Sequence, residues 1–384
     1  MNKETPKGWN LVNFDSFFTV LPSKKYQVQK QDYLEKGLVP VVDQGQKLII
    51  GYTDDVSKKF NKNNVIIFGD HTRIVKYIDF DFAVGADGTQ ILETKDGIDL
   101  KFGYYQLLNK NIPDTGYNRH FKYVKAEKYV IPPTLAEQQE IVQVLDTMND
   151  IIRLRKECIS HAQDLIPALF QEMFKQYIKQ KDKHISIGSV TSDTKQINPL
   201  KFFETEFYYI DIASINNDTG IIETPKIINI NETPPSRARK LVQTNDVIIS
   251  MTRPYLKGFS IIPKHLDGQI VSTGFSVLRS IPEKILPLYL FAYARTDMFV
   301  GQLIPKMKGA NYPAVRDSDV RSVKIPLPPI ELQEQFAEKV EKINSYIKEQ
   351  QEELANAKQM FQSLLHHAFT GELTRHKFGG DANG

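Results

Sequence analysis

Basic side chains alternate with aromatic and small polar residues at several places in this sequence. Lysine and arginine neutralise phosphates, and arginine or asparagine can hydrogen-bond two acceptors on one base edge. A solvated surface charge is the more common role of any single residue, but the set recurs in both halves of the chain and favours DNA contact. The candidates in the first half are His71, Thr72, Arg73, Lys101, Tyr104, Tyr117, Asn118, Arg119 and Lys122. Those in the second half are Arg237, Arg239, Lys240, Thr252, Arg253, Tyr255, Lys257, Lys306, Lys308, Asn311, Tyr312 and Arg316.

Sequence patterns of catalysis are lacking. Residues 198–200 (Asn-Pro-Leu) do not match the Asn/Asp-Pro-Pro-Tyr/Phe motif of methyltransferases, and neither a Walker A loop nor G-x-G-x-x-G occurs. Asp87 with residues 93–95 (Glu-Thr-Lys) resembles a nuclease pattern, but one that is short and common. The histidine pair at 366–367 lacks metal-ligand spacing, and Cys158 is expected to be a structural thiol. We therefore expect no catalytic residue, no metal site and no cofactor in this chain.

Composition sets the class of protein. The chain has 384 residues, enough for two or three domains, and is 41% hydrophobic and 25% charged. Its single cysteine excludes an internal disulfide and suits a reducing cytoplasm. No apolar run is long enough to span a membrane, and residues 1–10 lack the apolar core of a signal peptide. The expectation is a cytoplasmic protein that is not membrane-bound.

Charge is sorted along the chain. Residues 1–131 contain 19 Lys and Arg against 16 Asp and Glu, and residues 183–325 contain 18 against 13. Residues 134–180 contain 5 against 7, and residues 330–375 contain 5 against 8. The basic stretches are therefore the parts expected to meet a polyanion, although differences this small also occur by chance.

The two acidic stretches show a heptad pattern. Apolar residues recur at alternating steps of four and three, which is typical of coiled-coil helices that pack through one stripe, here called the seam. The first seam contains Ile141, Leu145, Met148, Ile152, Arg155, Ile159, Ala162, Ile166, Leu169 and Met173. The second contains Phe336, Val340, Ile343, Ile347, Gln350, Leu354, Ala357, Phe361, Leu364 and Ala368.

A shift of 195 residues superposes the two seams and aligns identical residues, such as Gln138 with Gln333, which indicates an internal duplication. Prolines precede both helices, and Pro167 inside the first predicts a kink. A globular domain between the helices can span the return, so we predict an antiparallel pair within one chain. The polar residues Arg155 and Gln350 then lie near mid-helix, where they either set the register by hydrogen bonding or both reach solvent.

The globular stretches, here called the first and second readers, also resemble each other. Residues 64–73 parallel residues 246–253, each a buried strand ending in Thr-Arg, and residues 83–94 parallel residues 270–280. The predicted fold is α+β: two mixed α/β readers separated by two long antiparallel coiled-coil helices in a pseudo-two-fold repeat. The predicted boundaries are 1–131 and 182–325 for the readers, 132–181 and 326–375 for the helices, and 376–384 for a tail.

These features together resemble the specificity (S) subunits of type I restriction-modification enzymes. The most specific stretch is residues 308–335, with its Gly-x-Asn turn, Ile-Pro-x-Pro-Pro and Gln-rich helix start; residues 116–139 are its counterpart. The resemblance implies that each reader, a target recognition domain, binds one half of a split asymmetric sequence in double-stranded DNA. It also implies that the helices set the gap between the half-sites.

The same resemblance implies partners. Two methyltransferase (M) subunits would dock on the helix ends around Gln138 and Gln333, and restriction (R) subunits would join through M. S-adenosylmethionine, ATP and Mg²⁺ are then expected only in those partners. The chain departs from the usual Leu-x-Glu-Gln at residues 330–335, which read IELQEQ.

Two other functions fit parts of the sequence. The chain could serve a fused restriction-methylation enzyme of another type, or it could be a coiled-coil scaffold that binds proteins. The scaffold explains the helices but neither the basic readers nor the repeated Thr-Arg. DNA binding would weaken steeply with salt, unlike a largely apolar scaffold interface.

Overall fold

The computed structural model describes residues 5–85 and 88–373. The chain forms two compact units, Met1–Lys156 with Glu352–Gly384, and Glu157–Gln351. Asp87 of the nuclease-like pattern and the tail 376–384 lie outside the described residues. Each unit combines one reader with a part of each long helix.

The first reader is built around a buried apolar strand. Its strands are β1 (Asn10–Asn13), β2 (Phe18–Leu21), β3 (Val39–Val42), β4 (Gly51–Thr53), β5 (Val65–Gly69), β6 (Val75–Ile78), β7 (Ala83–Val84), β8 (Thr89–Thr94) and β9 (Lys128–Ile131). Its short helices are α1 (Phe14–Phe17), α2 (Leu100–Leu108) and α3 (Phe121–Ala126). An antiparallel sheet has the order β2-β8-β5-β6, and a second sheet, β4-β3-β7, pairs β3 with β7 in parallel. Every residue of β5 is buried, as its β-branched and aromatic sequence VIIFG suggests.

The first long helix, α4 (Leu135–Lys179), begins two residues after the proline pair at residues 132–133. The Thr134 hydroxyl accepts a hydrogen bond from the Glu137 amide at 3.1 Å and caps the start of the helix. Pro167 lies inside α4 without ending it. Cys158 is exposed on the surface of α4.

The second reader repeats the first. Its strands are β10 (Ile185–Ser186), β11 (Thr191–Ser192), β12 (Glu206–Ile210), β13 (Lys226–Asn229), β14 (Ala238–Leu241), β15 (Val247–Ser250), β16 (Phe259–Ile261), β17 (Ile270–Ser272), β18 (Phe275–Ser280) and β19 (Lys324–Ile325). Its helices are α5 (Pro287–Ala294), α6 (Asp297–Leu303) and α7 (Asp317–Arg321). The sheet order β11-β18-β15-β16 matches β2-β8-β5-β6, and β12 pairs with β17 in parallel, as β3 does with β7. The predicted duplication of the readers is therefore confirmed, with β5 equivalent to β15 and β8 to β18.

The second long helix, α8 (Ile330–Ala368), packs against α4 in both units. In the first unit, Leu145 near the start of α4 shares one buried cluster with Phe361 near the end of α8. In the second unit, Phe174 near the end of α4 lies 5.3 Å, ring to ring, from Phe336 near the start of α8. The start of each helix thus meets the end of the other, which confirms the predicted antiparallel pairing.

Burial follows most of the predicted seam. Ile141, Leu145, Met148, Ile152, Phe336, Val340, Ile347 and Phe361 are buried, whereas Ile159, Ile166, Leu169, Ile343, Leu354 and Leu364 are half-buried. The prediction missed Phe170, Phe174 and Leu365, which are also buried. Near its end each helix also contacts a reader, as in the ring contact of Phe170 with Tyr289 at 5.5 Å. The buried face is therefore wider there than a heptad stripe.

The polar interruption Arg155 forms an ion pair with Glu353 of α8. The predicted alternative in which Arg155 only reaches solvent is therefore wrong for this residue. The Arg155 side chain is half-buried, and a shift of one helix along the other would separate it from its carboxylate. The pair thus favours one register of the first unit's helices, at a cost in desolvation.

Gln138 and Gln333 fasten the start of each long helix to its reader. The side-chain oxygen of Gln138 accepts a hydrogen bond from the Asp99 amide at 2.8 Å, and its Nε2 donates to the Gly97 main-chain carbonyl at 3.2 Å. The side-chain oxygen of Gln333 accepts a hydrogen bond from the Leu286 amide at 2.9 Å. Asp99 and Leu286 are equivalent residues, because they are the N-caps of α2 and α5. Because both glutamines are buried, neither side chain forms the docking surface predicted for it. The duplication instead preserves them as internal clamps.

Replacing Gln333 with Ala should lower the free energy of unfolding by about 1–3 kcal/mol, because the partly buried Leu286 amide loses its acceptor. Urea denaturation of the full chain measures the change. Gln335→Ala is the matched control: it removes an exposed amide two residues away and should cost less than about 0.5 kcal/mol. Equal losses in the two variants would show that the clamp contributes nothing.

Candidate nucleic-acid interface

In the first reader, Arg73 sits in a strained turn after β5. Its φ of 61° lies in the left-handed region, which residues other than glycine rarely adopt. Its Nη1 donates to the Ile112 carbonyl at 3.2 Å, and its Nη2 pairs with an Asp114 carboxylate oxygen at 2.6 Å. We call residues 70–73 the first arginine turn. Its arginine is bound to the loop that precedes α3.

The second reader has the same turn after β15. Arg253 has a φ of 48°, and its amide donates to the Pro313 carbonyl at 2.8 Å. Its Nη2 donates to the Asn311 carbonyl at 3.0 Å, and the guanidinium lies 4.9 Å from the centre of the Tyr312 ring. We call residues 251–253 the second arginine turn. Here too the arginine is bound to the loop before a short helix, which in this reader is α7.

Main-chain hydrogen bonds hold the two turns in equivalent places. The Asp70 amide donates to the Gly88 carbonyl at 2.7 Å, and the Met251 amide donates to the Gly274 carbonyl at 2.9 Å. The repeated Thr-Arg of the sequence therefore marks one structural site in each reader. The positive φ of the arginine and the identity of the partner loop could not be read from that repeat.

An exposed tyrosine stands beside each arginine turn. Residues 112–119 form the first tyrosine loop, in which Tyr117 is 89% exposed and stacks on the His71 ring at 4.8 Å and 12°. Residues 308–313 form the second tyrosine loop, in which Tyr312 is 72% exposed. Gly116 and Gly309 both have positive φ and allow these loops to turn. Exposed tyrosine hydroxyls beside cations suit hydrogen bonding and attraction to the phosphates of DNA.

The structure gathers some candidate residues at these two sites. His71, Thr72, Arg73 and Tyr117 lie together in the first reader, joined by the arginine turn and its loop. Thr252, Arg253, Lys308, Asn311 and Tyr312 lie together in the second, where Thr252 and Lys308 both pair with Ala314 through the backbone. Asn118 and Arg119 are exposed in the first tyrosine loop, and Lys122 is exposed in α3.

Three candidates are instead engaged within the fold. Lys101 pairs with Asp146 of α4 at 2.6 Å; burial opposes its charge, but this hydrogen bond raises its pKa. Tyr104 is half-buried, with ring contacts to neighbouring tyrosines, and burial raises its pKa. Lys240 is buried, donates to the Phe275 carbonyl at 2.7 Å and has a pKa lowered by that burial. Burial of Lys240 contradicts its predicted placement on the DNA-binding surface, whereas contact of the partly exposed Lys101 and Tyr104 with DNA stays a prediction.

The remaining candidates lie on other parts of the second reader. Lys257 pairs with Asp297 at 2.7 Å, and Lys306 donates to the Ser322 hydroxyl at 2.5 Å. Arg237, Tyr255 and Arg316 are exposed, and Arg239 is half-buried. For all six of these residues, contact with DNA stays a prediction.

Two residues that support the first site were missed from the sequence. The side-chain oxygen of Gln44 accepts a hydrogen bond from the His71 amide at 2.9 Å. The main-chain carbonyl oxygen of Gln44 accepts one from the Thr72 hydroxyl at 2.5 Å. Asp114 binds Arg73 as described above. Both lie far from the turn in sequence, and no local pattern marks them.

Within residues 5–85 and 88–373, no three His, Cys, Asp or Glu residues are grouped so that they could hold a metal ion. Nor does the described part of the chain contain a helix long and apolar enough to cross a membrane.

Comparison with protein families adds an independent observation. The model of the "Type I restriction modification DNA specificity domain" matches residues 6–161 and residues 185–357, which cover both readers and most of both helices. The chain belongs to this specificity family. The resemblance inferred from the heptads and the proline-rich helix starts is confirmed, and the specificity family is one of DNA-target recognition.

Individual members of the specificity family are similar over most of their length. The EcoR124I/EcoR124II specificity subunit of Escherichia coli is 24% identical over 346 residues, which are 84% of this chain and 83% of that protein. The putative MjaX specificity subunit of Methanocaldococcus jannaschii is 23% identical over 412 residues, covering 94% and 93%. The solved S subunit from M. genitalium has a TM-score of 0.54 at 16% identity over 96% of this chain and 97% of that one, and so shares the fold. These relatives do not favour the fused-enzyme or scaffold alternatives.

Lys308 and Lys101 give a matched test of which lysines meet DNA. Lys308→Gln should reduce the slope of log affinity against log salt by about one, because one exposed cation is lost. Lys101→Gln should leave the slope unchanged, since Lys101 is paired with Asp146. Binding of mixed-sequence duplex DNA by the full chain across a salt series measures both. A reduced slope for Lys101→Gln alone would reverse the assignment.

Proposed function

We propose that each reader binds one half of a split, asymmetric double-stranded DNA sequence through its arginine turn and tyrosine loop. The observation that carries this proposal is the occurrence of the same strained arginine and exposed tyrosine at equivalent positions of both readers. Two sites of similar backbone but different side chains suit a target whose two halves differ. Positive charge and exposed tyrosine hydroxyls supply phosphate contact, and an arginine can supply paired donors for a base edge.

The long helices would fix the gap between the half-sites. At 1.5 Å per residue, the 45 residues of α4 span about 68 Å and the 39 residues of α8 about 58 Å. Half-sites one turn of DNA apart need readers separated by about 34 Å, which helices of this length can supply. The apolar seam and the Arg155–Glu353 pair would keep that spacing constant, because sliding would expose buried side chains.

Catalysis would lie in partner proteins. We infer that this chain is non-catalytic, that two M subunits dock on it, and that R subunits join through M. S-adenosylmethionine, ATP and Mg²⁺ would then be bound by those partners, and the complex would act in the cytoplasm, where its DNA substrate and a reduced Cys158 are expected. Docking near the helix starts would use surface residues around the clamps, since Gln138 and Gln333 are themselves buried.

The proposal is tested by adenine methylation across the genome, read by long-read sequencing in cells with and without this gene. Deletion should abolish methylation of a single split motif, because target choice resides in this chain while the methyltransferase remains. The same data give both half-sites. If methylation is unchanged although the M subunit is expressed, the chain does not direct it.

The spacing role is tested by deleting residues 152–158 together with residues 350–356, one heptad from each helix around the Arg155–Glu353 pair. Each helix loses about 10.5 Å, so the gap in the methylated motif should shrink by about three base pairs, or modification should stop. Both half-sites should keep their sequence. An unchanged gap in a folded variant would exclude the helices as the spacer.

A further inference from the structure

The two arginine turns share a backbone conformation that side chains rarely adopt. Arg73 and Arg253 have φ values of 61° and 48°, and Arg253 also has a ψ of 57°. Such strain persists where the surrounding structure imposes it, and it is concentrated at functional sites. The duplication therefore preserved the placement of an arginine side chain in each reader, although glycine would fit the backbone with less strain.

The Arg73 guanidinium is neutralised within the first reader. Its Nη2 pairs with Asp114 at 2.6 Å, and its Nη1 donates to the Ile112 carbonyl. The other carboxylate oxygen of Asp114 accepts a hydrogen bond from the Gly116 amide at 3.0 Å. Arg73 and Asp114 together therefore hold the backbone that carries Tyr117.

The Arg253 guanidinium has no such counter-charge. No carboxylate pairs with it anywhere in the part of the chain that the structure describes, where its one hydrogen-bond acceptor is the Asn311 carbonyl. Its Nε is buried without a hydrogen-bond partner among those residues, and the Tyr312 ring covers one face of the group. A cation held in place with donors to spare is costly in an isolated protein and is suited to an external acceptor.

We propose that Arg253 is a specificity-determining residue of the second reader that donates to acceptors on DNA, whereas Arg73 is a positioning residue that holds the first tyrosine loop. This inference rests on the proposed function. The acceptors are the O6 and N7 atoms of a guanine, to which a guanidinium presents two donors. Phosphate oxygens would accept from the same group but carry no sequence information, so contact with a phosphate alone is an outcome that the test must exclude. The two readers thus use one inherited turn for different purposes.

Arg253→Gly separates binding from folding, because glycine adopts the positive φ without strain. The full chain carrying this substitution should unfold at the same or a higher temperature. Its affinity for a duplex carrying the split motif methylated by the wild-type complex should fall roughly tenfold to a hundredfold. Scrambling the second half-site of that duplex should then cost the variant much less than it costs the wild type.

Arg253→Lys distinguishes the two acceptors. Lysine keeps the charge but not the planar pair of donors. A phosphate contact would leave affinity near the wild-type level, whereas a base contact would reduce discrimination at one base pair of the second half-site. Reduced discrimination at one base pair supports the proposal, whereas wild-type affinity and discrimination in Arg253→Lys would show that Arg253 does not determine specificity.

The role of Arg73 is tested by exchanging its ion pair. Aspartate tolerates the left-handed conformation better than most residues, so Arg73→Asp combined with Asp114→Arg can form the pair in reverse. Arg73→Asp alone should weaken binding of the duplex, and the double variant should restore it. Failure to restore binding in a double variant whose Tyr117 keeps its stacking on His71, as judged from a structure of the variant, would show that Arg73 itself contacts DNA.

Binding by the wild-type chain distinguishes failure of the proposed function from failure of the role assigned to Arg253. If it does not prefer the split-motif duplex to a scrambled one, the proposed function fails. If it does, and Arg253→Gly binds that duplex with wild-type affinity, the assignment of Arg253 is overturned while the proposed function stands.

Discussion

The rest of the structure depends on the need of two long helices to cover their apolar seams. Neither α4 nor α8 could leave its seam in water without a cost of tens of kcal/mol gross, at about 1.5–3 kcal/mol per large side chain. Antiparallel pairing covers the seams and places the start of each helix beside one reader. There the buried glutamines Gln138 and Gln333 join helix and reader through equivalent hydrogen bonds. The position of both readers on the helices thus follows from the burial of apolar surface.

Much of this architecture could be predicted, because it is periodic. A heptad stripe repeated over some forty residues is a strong signal, and the 195-residue shift revealed the duplication without knowledge of any contact. The heptad pattern did not predict buried residues at the places where a helix also contacts a reader. Phe170 and Phe174 lie off the predicted seam but are buried, because Tyr289 of the second reader packs against them together with Phe336 of α8. Periodicity describes one helix and its partner, not a third surface.

The candidate site was only partly predictable. The sequence identified the arginines and tyrosines by residue type, but each site is assembled from segments about 40 to 60 residues apart, as the Arg73–Asp114 and Arg253–Asn311 contacts illustrate. Lysines that looked alike in sequence have different roles: Lys308 is exposed, whereas Lys240 is buried against a carbonyl. Charge in a sequence gives the number of cations, and only the fold gives the number available to a ligand.

Main-chain hydrogen bonds at the arginine turns have a consequence for evolution. The bonds from Asp70 to Gly88 and from Met251 to Gly274 use backbone atoms alone, so they survive most substitutions of the side chains. Mutations in the tyrosine loops can therefore accumulate without first destabilising the reader. A lineage can explore new surface chemistry by neutral drift, one residue at a time, while natural selection acts on the outcome and the strands beneath stay the same.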